Sequence, residues 1–204
     1  MPRTNLSMSV SADGYVAGPN QSQEHPLGIG GELLHGWHLG PAKDHPVNQQ
    51  VMADMLDGMG ATIMGRNMFG PVRGEWGDSD WTGWWGDEPP YHCPVFVLTH
   101  HARDPIPMAG GTTFYFVTDG IESAYRQACE AAGDRPISIA GGASCGRQAI
   151  MAGVVDEIDL QVNPVILGSG ERLFDGFEAG APSLELERVL EAPGVAHLRY
   201  RVVK

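Results

Sequence analysis

Residues 137–152 read ISIAGGASCGRQAIMA. The first four, ISIA, suit a short buried strand; Gly141-Gly142 breaks it, and 144–152 returns to helical spacing. Strand, glycine turn and helix in that order form half of a parallel βαβ unit, and a second strand over 156–162 completes it before Asn163-Pro164 and the Gly168-Ser169-Gly170 turn.

On the N-terminal side, 120–132 is helical: Ile121, Ala124, Tyr125, Ala128 and Ala132 make one stripe and Gly133 ends it. TFYFV (113–117), VFVLT (95–99) and ATIM (61–64) read as strands, and 5–10 as the first strand, closed by Ser11-Ala12-Asp13-Gly14. A helix precedes 61–64, with Asp44 as a cap, Pro46 in the first turn, and Val51, Met52, Met55, Leu56 and Met59 on one face. On the C-terminal side, Leu184, Leu186 and Leu190 lead into Ala192-Pro193-Gly194, and VAHLRYRVV (195–203) pairs back as a hairpin. Two long connections remain, about 17–46 and 70–94; loops of that length in compact domains are usually functional. The expected fold is a three-layer α/β/α domain over 1–204, its mixed, mostly parallel sheet ending in an antiparallel hairpin.

Composition narrows the function. The 204 residues are 42% hydrophobic and 19% charged, which suits a globular core. Twenty-eight glycines predict many tight turns and close backbone approaches. A net charge of −12 has the wrong sign for a general nucleic-acid or anionic-membrane binder, so a bound phosphate must be held locally. No apolar run approaches a membrane span, and the opening MPRTNLSMSVSADG lacks the apolar core of a secretory signal. Cys93, Cys129 and Cys145 are odd in number and lack CxxC spacing, so a cytoplasmic chain with neither disulfides nor a zinc ribbon is expected.

Three stretches could carry chemistry. The Gly141-Gly142-Ala143-Ser144 turn at a helix start suits a phosphate or pyrophosphate, or is a bare tight turn. It is not a G-x-G-x-x-G fingerprint. Gly65-Arg66-Asn67 and Thr99-His100-His101-Ala102-Arg103 each follow a strand and carry a guanidinium. These arginines either pair with surface carboxylates or meet an anionic ligand; with the glycine turn, a dinucleotide bearing an extra phosphate explains all three economically. His35-x-x-His38 would ligate a metal only on a helix, which this glycine-rich loop does not promise, and no metal is expected.

The order SADGYVAG, GATIMGRNMF, PVFVLTHHAR, ISIAGGASCGRQAIMAGVVDEIDL and NPVILGSGERLF resembles the dihydrofolate reductase superfamily, in the branch typified by the reductase (C-terminal) domain of bacterial bifunctional riboflavin-biosynthesis proteins. The resemblance implies a dihydrofolate reductase-like fold, NADPH as cofactor and a homodimer. It implies that Gly65, Arg66 and Asn67 hold the 2′-phosphate with Thr99, His100 and Arg103, and that Gly141, Gly142, Ala143 and Ser144 cradle the pyrophosphate, the paired glycines often joined by a cis peptide. Val16, Ala17, Ile166, Leu167 and Gly168 would line the nicotinamide. Asp13 is the motif's match for a residue contacting substrate or proton; Asp-Gly is equally ordinary turn chemistry. Asp44, Trp84 and Trp85 are the expected substrate contacts, Trp84 and Trp85 belonging to a tryptophan group (with Trp76 and Trp81) that reads as a stacking lid, as loop packing or as part of a dimer interface.

Charge bears on the substrate. Segment 19–58 has Lys43 against Glu24, Glu32, Asp44, Asp54 and Asp57, and 70–92 has Arg73 against Glu75, Asp78, Asp80, Asp87 and Glu88. Acidic, tryptophan-rich substrate segments predict a neutral or cationic planar heteroaromatic rather than a phosphorylated sugar derivative. The expected reaction is hydride transfer to a C=N or C=O group of a pterin- or pyrimidine-like compound. Its alternatives are reduction of 5-amino-6-(5-phosphoribosylamino)uracil and a silent NADP-binding sensor or dimeric scaffold.

Overall fold

The computed structural model describes residues 2–177 and 180–203. The strands are β1 (Thr4–Ser11), β2 (Tyr15–Ala17), β3 (Ala61–Gly65), β4 (Pro94–Leu98), β5 (Ile106–Pro107), β6 (Thr113–Val117), β7 (Ile137–Gly141), β8 (Glu157–Asn163), β9 (Glu171–Arg172), β10 (Ser183–Ala192) and β11 (Val195–Val203). The helices are α1 (Gly36–Leu39), α2 (Pro46–Leu56), α3 (Arg66–Phe69), α4 (Ile121–Ala132) and α5 (Ala143–Met151). Nine strands form one sheet in the order β10-β11-β8-β1-β7-β3-β4-β6-β5. Its middle is parallel from β8 through β6, and β5 and the β10–β11 hairpin are antiparallel.

Alternation along the strands sets the layers. In β1, Leu6, Met8 and Val10 join Ile63, Ile139 and Ile158 in the larger core under α4 and α5. Ala124, Ala128 and Ala132 bring α4 close to this face, and Ile121 and Tyr125 pack at its margin, as the stripe predicted. The opposite faces of β3, β4 and β6 give Met64, Val95, Val97 and Phe114 to a second core completed by Phe69, Trp76 and Tyr91. Trp37, Val51, Ala192 and Val195 make a third, under α2. Full burial of a Val, Leu, Ile, Phe or Met side chain contributes about 1.5–3 kcal/mol.

Several stretches differ from expectation. The 17–46 connection holds a 3-10 turn (Gly31–His35) and α1. Glycines hide this from periodicity, but Leu34 and Trp37, three apart, both point inward, and the indole N–H of Trp37 donates to Ser9 Oγ at 2.9 Å. Asp44 caps nothing: His45 is the N-cap residue of α2 and no side chain caps the helix. The small β2–β9 pair and the two-residue β5 are too short to leave a pattern.

Candidate active site

One cavity of about 900 Å³ opens at the C-terminal ends of β3, β4, β6 and β7, where ligands collect in open parallel sheets. The turn after β7 forms one wall. Gly141 has φ +128°, a backbone state side chains avoid, and a Cβ there would stand 3.3 Å from the Met68 sulfur. The Gly141–Gly142 peptide is cis. Gly142, Ala143 and Ser144 open α5 on the same wall, and their N–H groups belong to the first turn, which lacks intrahelical acceptors. Ala143 is buried with ordinary negative φ, so its methyl is accommodated.

Beside this turn, at the end of the neighbouring β3, Arg66 opens α3. Its Nε donates to Val72 O (3.2 Å), Nη2 to Gly74 O (2.8 Å) and Nη1 to Thr99 Oγ1 (3.0 Å), with Cζ 3.4 Å from the Trp76 ring centroid. Arg73 donates to Gly70 O at 2.8 Å, and Arg103 to Trp81 O and Ser79 O at 2.7 and 3.0 Å. None of the three is in an ion pair among the described residues. Desolvation, then the charges of Arg73 and Arg103, push the Arg66 guanidinium below its ordinary pKa. Arg66 and Arg73, cations on the cavity wall held by neutral oxygens in a chain of net charge −12, suit an anion.

Of the predicted site residues, Gly65, Arg66, Asn67, Thr99, His100, Gly141, Gly142, Ala143, Ser144, Val16 and Ala17 all line this cavity, as do Trp84 and Trp85. Six others are off the wall. Arg103 lies behind it, spent on carbonyls and over Trp76. Asp44 is exposed on the outer surface. Ile166 is 81% exposed, while the Leu167 and Gly168 N–H groups donate to the Asp13 carboxylate at 3.1 and 2.7 Å. Asp13 also accepts from Ser11 Oγ at 2.6 Å. The Ser11 hydroxyl, then the Gly168 and Leu167 N–H groups, lower its pKa to about 2. Asp13 thus clips two loops together, and a carboxyl so acidic holds no proton to give.

The tryptophans divide. Trp76 and Trp81 are loop packing: their indole N–H groups donate to His101 O and Phe69 O. Trp85 stacks near Phe114 and meets Tyr91 edge-on, and Trp84 meets Trp81 edge-on. The charge argument needs correction: none of the ten carboxylates counted in 19–58 and 70–92 reaches the wall, where Glu171 is the single carboxylate among the described residues. Trp37, Leu39, Met52, Met55 and Trp84 add neutral, apolar lining, which removes the reason to expect a cationic substrate.

Sequence reasoning missed Arg73, Trp37 and, in their relation to each other, His35 and His38. The His35 and His38 rings come together on the helical turn that the glycines concealed. The described residues contain no group of three or more His, Cys, Asp or Glu suited to a metal, and no helix among them is long and apolar enough to cross a membrane.

The sequence model of the RibD C-terminal domain matches residues 2–198. No curated protein matches the chain. Among solved structures, a putative riboflavin biosynthesis protein from Shewanella sp. PV-4 superposes with TM-score 0.66 at 19% identity over 99% of each chain. A pyrimidine reductase-like protein from Corynebacterium diphtheriae gives TM-score 0.60 at 15% identity, over 100% of this chain and 92% of that one. The Thermotoga maritima diaminohydroxyphosphoribosylaminopyrimidine deaminase/5-amino-6-(5-phosphoribosylamino)uracil reductase gives 0.63 at 16%, and the present chain, 99% covered, spans 57% of its length. These likenesses establish a common fold.

Proposed function

The chain belongs to the RibD C-terminal domain family, and from that membership we propose that it is an NADPH-dependent reductase delivering hydride to a C=N or C=O group of a neutral pterin- or pyrimidine-like molecule. One observation carries the reading: Arg66-Asn67, Thr99-His100 and Gly141–Ser144, distant in sequence, converge on one cavity with Val16 and Ala17.

The residues fit the cofactor. Arg66 keeps N–H donors beyond its three internal bonds, and with Arg73 it would take the 2′-phosphate. The first turn of α5, approached without a side chain at Gly141 and Gly142, would take the pyrophosphate. Val16 and Ala17, on a strand anchored by β9, would face the nicotinamide. When bound, NADPH supplies the hydride; the protein's part is alignment and exclusion of water. Trp84, among the aromatic residues lining the cavity, would seat a planar ring. The same reading takes the protein as cytoplasmic and homodimeric, and the exposed Leu184, Leu186 and Val189 of edge strand β10 support the pairing of two copies.

A second reading, reduction of 5-amino-6-(5-phosphoribosylamino)uracil, is favoured by the activity named for the Thermotoga protein. It would require Arg73 for the ribose phosphate. Calorimetry with NADPH and NADH, then NADPH oxidation with the phosphorylated and dephosphorylated uracil, tests both. Faster oxidation with the dephosphorylated compound favours the first reading, and preference for the phosphorylated one favours the second. NADPH bound but never consumed indicates a silent sensor, and no heat with NADPH overturns all three.

A further inference from the structure

A C=N or C=O group that receives a hydride leaves its heteroatom needing a proton, so the reductase reading above calls for a donor. The wall's titratable groups sort by surroundings. Cys145 is buried, its thiol pushed up to about 12 by desolvation, and burial raises Tyr91 as well. Guanidinium groups keep their protons. His101 is tied to Glu75, Nδ1 to Oε1 at 2.9 Å, on the arginine side with His100.

His35 and His38 differ. Both line the cavity, and the turn carrying His35 packs against β1 and β2, the latter holding Val16 and Ala17. His35 Nδ1 is 3.0 Å from His38 Nε2, with the rings edge to face at 5.2 Å. Two neutral imidazoles own two N–H protons. One lies between the rings. The other must sit on an outer nitrogen of the accepting ring, leaving the opposite outer nitrogen a bare lone pair. Neither outer nitrogen is bonded among the described residues. Whichever tautomer is present, the pair gives a proton at one end and accepts one at the other. Desolvation, with His38 adding to it, pushes His35 down to about 4; desolvation lowers His38 too, so both stay neutral.

We propose that His35 and His38 form the proton relay of this reduction, His35 as the donor to the substrate heteroatom and His38 as the positioning residue that recharges it. The substrate carbon gains a C–H bond with the electron pair of the hydride, NADPH being oxidised to NADP⁺. The π pair of the C=N or C=O bond passes to the heteroatom, which takes the proton from His35 Nε2. The shared proton moves from His38 Nε2 to His35 Nδ1, and His38 Nδ1 takes one proton from water, the hydroxide left behind being neutralised by a solvent proton. Both rings stay neutral, and exchange with water restores the first tautomer after product leaves.

Nitrogen-15 imidazole spectra of the full chain, with and without NADPH, test the pair without turnover. Both rings should be neutral at neutral pH, with one proton coupled to His35 Nδ1 and His38 Nε2. No shared proton overturns the relay. His35→Gln and His38→Gln should each bind NADPH within about twofold of the parent, while NADPH oxidation with the phosphoribosylaminouracil or a dihydropterin falls roughly 10²- to 10⁴-fold in His35→Gln and about tenfold in His38→Gln. The dependence of rate on deuterium content should be curved in the parent, where more than one proton moves, and linear in His38→Gln. A His35→Gln rate within about threefold of the parent, with Glu171→Gln abolishing it, overturns the assignment. A parent that binds no NADPH overturns the reductase reading instead, and the ligand-free spectra still decide the pair.

Discussion

The guanidinium carbon of Arg66 lies over the indole of Trp76, 3.4 Å from its centroid, while its three nitrogen donors are each engaged by a neutral oxygen. Stacking and carbonyl bonds thus fix a cation in place without neutralising it. Arg66→Ala should weaken NADPH by about 1.5–3 kcal/mol, the loss of one charge-assisted contact, and leave NADH almost unaffected. Calorimetry with both nucleotides checks this, and equal weakening would remove Arg66 as the phosphate ligand. Trp76 is itself buried, so Trp76→Ala should also cost about 3–5 kcal/mol of stability in urea unfolding.

Asp13→Asn separates a clip from a catalyst. The folded carboxyl titrates near 2, below its ordinary 3.8, so the folded state favours the charged form. Its stabilising contribution is complete above about pH 4 and is lost as pH falls from there towards 2. Acid unfolding should lose steepness in that window in Asp13→Asn. The variant should keep NADPH oxidation within about tenfold, far from the loss expected of a missing proton donor; a collapse with cofactor affinity intact would restore Asp13 to the chemistry.

These two residues also mark what was legible in the chain. The β7–turn–α5 unit was readable because its signals are local: an apolar run, two glycines, then helical spacing. Arg66 and Thr99 were readable because they follow strands whose C-terminal ends meet in any parallel sheet. Arg103 follows the same strand as Thr99 yet turns behind the wall, and Ile166–Gly168 are drawn outward by Asp13. No spacing rule carries those choices. The acidic segments misled for a related reason: net charge along a loop does not say which side chains turn inward. His35 and His38 meet only because Trp37 anchors their turn on Ser9, a contact 28 residues apart.

Acid should also weaken the protein at milder pH. His197 is buried, Nε2 2.8 Å from Asn48 Oδ1, and desolvation followed by the charge of Arg188 lowers its pKa to about 4; His35 is lowered to the same level. A histidine depressed below 6.5 binds protons more readily unfolded, so stability is full above about 6.5 and falls as pH drops towards 4. Thermal unfolding between neutral pH and pH 4 should show that decline, and His197→Gln should reduce its slope. A flat profile in the parent would mean that His197 and His35 are not held neutral.

Trp84 and Trp85 adjoin in sequence and share the cavity but should answer differently to truncation. Trp85 is bound into the second core, its centroid 5.1 Å from Tyr91 and 6.0 Å from Phe114. Among the described residues, Trp84 meets only Trp81 as an aromatic neighbour, at 4.5 Å, and it lines the cavity. Trp85→Ala should therefore lower stability by roughly 2–4 kcal/mol, somewhat less than a fully buried aromatic because Trp85 is only half-buried. Trp84→Ala should cost about 1 kcal/mol or less, yet raise KM for a planar substrate roughly 2- to 12-fold, the worth of one aromatic stack at 0.5–1.5 kcal/mol. Urea unfolding and steady-state kinetics on the two variants would resolve them. If Trp84→Ala changes stability and leaves KM untouched, Trp84 belongs with Trp76 and Trp81 as packing for the long loop, and the stacking surface must be sought on Trp37.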